Sequence, residues 1–234
     1  MRSGFVRTGL VLAGLAMAGP TLATSWLSLP LPPGAEATWV IREGAINGIP
    51  SQVQELLTPQ APAEVLAFYR RQFEMQGGLP NPGAARGWHS LAMHRDPINL
   101  LVQVQAGKGG GARVLLSQMD LRASRREVIP SELPPLPGAR LMQSTESRDG
   151  GRRSRYVNFS SAESFDLLTQ RLRGHWQRRG WRAAFDDVRP LKGGARQWLA
   201  SFEGPKGSTV DLVLAPMPDS RELSLTVNLL DGTP

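Results

Sequence analysis

Nine arginines fall between positions 148 and 182: Arg148, Arg152, Arg153, Arg155, Arg171, Arg173, Arg178, Arg179 and Arg182. Against them stand three acids, Asp149, Glu163 and Asp166. A guanidinium carries a planar fork of donors that grips phosphate or carboxylate through two bonds at once. The chemistry this segment offers is recognition of an anionic group, with Arg152, Arg153, Arg155, Arg171, Arg178 and Arg182 as candidate ligands. In a cell envelope such a group belongs to a lipid head group, a polysaccharide or an acidic protein. The competing reading is a solvated arginine face. Arg171 and Arg178, seven residues apart, share one side of a helix. Nucleic acid is not an expected partner, because few aromatics are free to stack bases.

The remaining reactive residue types offer less. Cysteine is absent, which excludes disulfides, thiolate metal sites, a cysteine nucleophile and a lipidated N-terminal cysteine. The histidines are His89, His94 and His175. The first two are an odd number of residues apart on a predicted strand and so point to opposite faces. No metal and no cofactor is expected. Asp186-Asp187 and the pair Asp219 and Glu222 are the closest carboxylates, yet nothing in their spacing sets them across a cleft, as glycoside hydrolysis requires. Gly-x-Ser-x-Gly, His-Glu-x-x-His and Ser-x-x-Lys are all missing. Gly107-Lys108-Gly109-Gly110-Gly111 lacks the Ser or Thr that follows the lysine of a phosphate loop, and a strand pattern comes next. It reads as a turn, as does Lys192-Gly193-Gly194.

One apolar segment lies outside every amphipathic pattern. Trp26, Leu27 and Leu29, in Ser25-Trp26-Leu27-Ser28-Leu29-Pro30-Leu31, could dock on a partner or on the protein itself. It follows a predicted signal peptide over residues 1–23: Arg2 and Arg7, an apolar run at 9–17, and Thr21-Leu22-Ala23 as the cleavage site. Pro20, Pro30, Pro32 and Pro33 interrupt the apolar stretch that a spanning helix would need. The expectation is a periplasmic or secreted protein, not a lipoprotein, with no transmembrane span after cleavage. The full chain carries a formal charge of +7. Nearly all of its positive charge is arginine, the lysines being Lys108, Lys192 and Lys206.

The elements that must position these residues look as if written twice. Pro33-Gly34-Ala35 recurs as Pro137-Gly138-Ala139. Strand patterns over 38–43 and 52–57 precede a helix from Pro62 to about Gln76, with Val65, Phe68, Tyr69, Gln72 and Phe73 on one face. Strands at 87–93, 100–106 and 113–119 follow. The second copy has strands at 141–145 and 154–159 around Asp149-Gly150-Gly151, a hairpin signal. Ser160 and Glu163 then form a capping box, and Phe165, Leu168, Leu172 and Trp176 an apolar stripe. Strands at 197–203, 209–215 and 222–229 complete it. The predicted fold is α+β: two tandem ββαβββ units at 33–127 and 137–234, each an antiparallel sheet with one packed helix. A tail at 24–32 precedes them and a Pro-rich joint at 128–136 connects them. The rival is one continuous sheet.

The functional expectation is an exported, non-enzymatic binding or assembly component of the bacterial cell envelope, with an envelope protein as partner. An anionic-ligand binder using the 148–182 arginines is the second reading, and a periplasmic hydrolase without a short motif the third. The sequence is silent on oligomeric state.

Overall fold

A computed structural model describes residues 26–125 and 129–232. The predicted signal peptide lies outside them. In the first half, β1 (Glu36–Ile46), β2 (Ile49–Thr58), α1 (Pro62–Met75), β3 (Asn81–Ala85), β4 (Trp88–Arg95), β5 (Ile98–Ala106) and β6 (Ala112–Asp120) follow in order. The second half contains β7 (Arg140–Asp149), β8 (Arg152–Ser161), α2 (Phe165–Arg178), β9 (Arg182–Pro190), β10 (Arg196–Glu203), β11 (Thr209–Pro216) and β12 (Leu223–Leu230).

The expected α+β pair of tandem ββαβββ units is overturned. All twelve strands belong to one antiparallel sheet, in the order β3-β4-β5-β6-β2-β1-β7-β8-β12-β11-β10-β9. Strands take up 51% of the described residues, against two α-helices, so the fold is mostly β. The halves do not meet across a groove. They are joined edge to edge where Glu43–Ile46 pairs with residues 145–148. Each of β1 and β7 would otherwise present an unpaired row of backbone groups, and pairing them removes part of that exposure. Two strands were also missed. β3 is the exposed sequence Asn-Pro-Gly-Ala-Ala, and β9 is mostly exposed and charged, so neither shows an apolar alternation.

Each helix covers one face of its half. On α1, Val65, Tyr69 and Phe73 are fully buried against Leu56, Leu91, Leu100, Val102 and Val114. On α2, Leu168, Leu172 and Trp176 pack against Val157, Phe159, Trp198, Phe202 and Leu212. Truncating one of the large aromatics would cost about 3–5 kcal/mol. The capping box at Ser160 does not form. Ser164 is the N-cap, its hydroxyl accepting from the Leu167 N–H at 3.4 Å, and Glu163 instead pairs with Arg171. The tryptophans divide: Trp176 and Trp198 are core, whereas Trp39 is 37% exposed.

The two proline-rich segments cover the sheet beside each helix. Trp26, Leu27 and Leu29 are partly buried against the first core. The Gln118 side-chain amide clamps Leu27, accepting from its N–H at 2.9 Å and donating to its carbonyl at 2.8 Å. Leu133, 7% exposed, enters the second core, with Pro130 and Pro134 also buried. The segment before β7 is therefore packed structure.

Candidate functional site

Residues alternate in facing along a strand. Val157 and Phe159 of β8 face α2, so Arg155 and Arg153 continue the same row beyond the helix's cover. Antiparallel register sets Arg153 opposite Arg148 and Arg155 opposite Glu146 on β7, while Arg148 is opposite Glu43 on β1. Cross-strand partners share a face. The β1·β7 junction thus gathers Arg148, Arg153 and Arg155 on one side of the sheet.

Three cavities surround this row. One of about 500 Å³ is lined by Arg125, Arg148, Arg153, Arg155, Tyr156 and Glu146, with Gly48, Pro50 and Pro130 at its border. A second, of about 660 Å³, shares Arg148 and Arg153 and adds Arg42, Glu43, Gly150, Gly151, Asp231 and Gly232. A third, of about 340 Å³, lies on the far side of Arg155 against Glu132, Trp181 and Asp231. A cavity of about 870 Å³ lies elsewhere, between Gly34, Glu36, Leu57 and the Gly107–Gly111 turn. Its one arginine, Arg113, is already bound to Glu55 and stacked on Trp88, which leaves little there to recognise a charge.

Arg155 is nine-tenths buried. Its guanidinium donates to Glu132 Oε2 at 2.7 Å and to Asp231 Oδ1 at 2.5 Å. Burial opposes its charge, but these two carboxylates outweigh that and hold its pKa above the usual arginine value. The Arg155 hydrogen bond in turn holds the Glu132 carboxyl below the usual range. The backbone of Glu132 is anchored separately, its carbonyl accepting from His175 Nε2 at 2.6 Å. Burial keeps the His175 pKa low. Arg153 donates to Glu146 at 2.7 Å. Arg153 Nε and Arg155 Nε are buried and find no acceptor among the described residues. A buried donor without a partner is costly, about 1–3 kcal/mol, so an unmet pair beside a cavity is a specific feature. Among the described residues, Arg125 and Arg148 make no side-chain hydrogen bond or ion pair.

The other predicted anion ligands are elsewhere. Arg152 turns to the carbonyls of Asp231 and Gly207 at 3.2 and 3.1 Å. Arg171 is held by Glu163, and Arg182 by Glu203. Arg178 is exposed on α2 and makes no ion pair among the described residues. None of Arg171, Arg178 and Arg182 lines the junction cavities. The sequence reasoning missed Arg125, Arg42, Glu132 and Asp231, because they come from segments distant in the chain. Trp26, Leu27 and Leu29 are engaged with the protein's own core.

Chemically the arrangement can hold an anion. The carboxyl groups with resolved shifts, Glu132 at this site and Asp166 and Asp186 outside it, are held low by arginine hydrogen bonds. Among the described residues no group of three or more His, Asp or Glu could hold a metal ion, and no helix is long and apolar enough to cross a membrane. No family model, curated protein or solved structure matches the chain.

Proposed function

We propose that this chain is an exported, non-enzymatic binding or assembly component of the bacterial cell envelope that recognises an anionic group at the β1·β7 junction. The observation that carries this reading is the pair of buried, acceptor-less Nε–H groups on Arg153 and Arg155, both on side chains lining the same cavity. A phosphate or carboxylate oxygen would satisfy them, with Arg148 and Arg125 adding unspent charge. Export rests on the sequence of residues 1–23 alone.

Titration calorimetry with inorganic pyrophosphate tests the binding. Saturable heat should appear at low salt, weaken steeply as ionic strength rises, vanish in Arg153→Gln and persist in Arg171→Gln. Equal loss in both variants, or no heat at all, refutes the junction as the site. Fractionation of the native host tests the address, since a chain retained in the cytoplasm contradicts export.

A further inference from the structure

β1 pairs with β2 at Glu36–Trp39, Ile41 and Gly44–Ile46, with irregularities at Val40 and at Arg42–Glu43, whereas β7 covers only Glu43–Ile46 on the other side. Among the described residues, 36–42 therefore form a free edge inside the sheet, roughly 23 Å long at about 3.3 Å per residue. A free edge templates another strand unless it is blunted by charge, proline or a very short length. The sheet's two outer edges are blunted. β3 is short and contains Pro82 and Gly83, while β9 carries Asp186, Asp187, Arg189 and Pro190, with Asp186 turned in to bind Arg173 and the Trp198 Nε1–H. The β1 edge has charge only at its ends, Glu36 and Arg42. Between them Trp39 and Val40 are 37% and 53% exposed.

A strand added to this edge meets an obstacle. Its path beyond Arg42 is occupied by β7 and the Gly150-Gly151 turn, so the added chain must end there. The end point is the cavity lined by Arg42, Arg148 and Arg153. A chain running parallel to β1 arrives with its C-terminus, and a terminal carboxylate there meets the guanidinium groups of Arg42, Arg148 and the Glu146-paired Arg153, which outnumber the lining carboxylates Glu43 and Asp231. A chain running the other way would bring its ammonium group to the same cations.

We propose that residues 36–42 and the Arg148–Arg153 cavity together form a binding site for the C-terminus of a partner protein, which adds to β1 as a parallel strand and seats its carboxylate on the arginines. This rests on the anion-recognition reading above and names a ligand for the adjoining cavity, which shares Arg148 and Arg153 with the first. Main-chain bonds to the edge supply affinity, and Trp39 and Val40 offer contact to alternate side chains of the guest.

The test uses a pool of random N-acetylated octapeptides with free C-terminal carboxylates and the same pool as carboxamides, with selection on the immobilised protein read by mass spectrometry. The acid pool should be retained at least tenfold over the amide pool, and Arg148→Gln should remove that preference. The best retained peptide should slow amide hydrogen exchange in residues 36–42 at least tenfold. Inorganic pyrophosphate should slow exchange near 148–155 and leave 36–42 unchanged. Equal retention of the two pools, or no protection of 36–42, overturns the strand-addition site. If pyrophosphate still binds in that case, the anion reading survives; if it does not, both fall.

Discussion

Gly44 is the residue on which the joining of the two halves depends. It lies in the β1·β7 ladder opposite Ser147, and on its other side opposite Ser51 of β2. A Cβ at this position would lie 2.0 Å from the Glu146 carbonyl oxygen and 2.7 Å from Ile41 Cγ2, where ordinary contact begins at 3.4 Å. The nearest atom is backbone, so no rotamer change relieves the clash. In Gly44→Ala, β7 must retreat by about 1.4 Å, the difference between 3.4 and 2.0 Å. Such a shift takes a normal N–H···O bond out of range. The ladder has four residue pairs, and with four bonds each contributing about 0.5–1.5 kcal/mol net, its loss amounts to about 2–6 kcal/mol. Both cores lie away from this ladder and should persist. Hydrogen exchange by NMR is the direct assay: amides in 43–46 and 145–148 should exchange at least about 30-fold and up to about 30,000-fold faster, while those of β5 and β11 stay protected. Gly77→Ala is the control. Its φ is +75° with nothing within 4 Å, so it should cost only about 1 kcal/mol of backbone strain and leave the ladder untouched. Unchanged exchange across the ladder in Gly44→Ala would refute the idea that close approach at Gly44 holds the sheet together.

Three other outcomes are expected. Arg155→Met leaves Glu132 and Asp231 facing each other, and since both retain some solvent contact the loss in urea unfolding should be about 2–3 kcal/mol, below the fully buried limit; a loss under 1 kcal/mol contradicts a structural role. Gln118→Ala removes both bonds to Leu27 and should cost about 1–2 kcal/mol, with residues 26–31 becoming a preferred site of limited proteolysis; unchanged cleavage would count against the clamp. Acidification should loosen the segment around Leu133 in two stages. The folded His175 pKa is lowered, so its contribution is present above the unfolded value of 6.5 and declines as pH falls below it. The folded Glu132 pKa is also lowered, so its share is present above 4.5 and is lost as pH falls further. Thermal melts of wild type and His175→Asn should therefore converge between pH 7 and 5; curves that stay parallel would show that His175 plays no part.

Much of the local structure was legible in the residues. The stripe Val65, Tyr69, Phe73 and its counterpart Leu168, Leu172, Trp176 defined two helices and the faces they bury, because a helix repeats every 3.6 residues whatever lies beyond it. Glycine after Asp149 marked the β7–β8 turn, since a two-residue hairpin needs positive φ, here +55° and +80° at Gly150 and Gly151. The arginine concentration at 148–182 was visible as composition. Which of those arginines are already spent was not: Glu132, Glu146, Glu163, Glu203 and Asp231 are between 7 and 76 residues away in sequence from the arginines they hold. β3 and β9 escaped notice because an exposed edge strand buries too little to need an apolar alternation.

The sequence by itself determined the periodic elements, their turns and the absence of thiol chemistry, all set by side chains acting on their near neighbours. Only the tertiary structure decided that the halves share one sheet, that Trp26 docks at home, and that Arg148, Arg153 and Arg155 meet at a cavity. Those outcomes depend on strand pairing between distant segments, and a backbone edge of hydrogen-bond donors and acceptors looks the same in every sequence until its partner is in place.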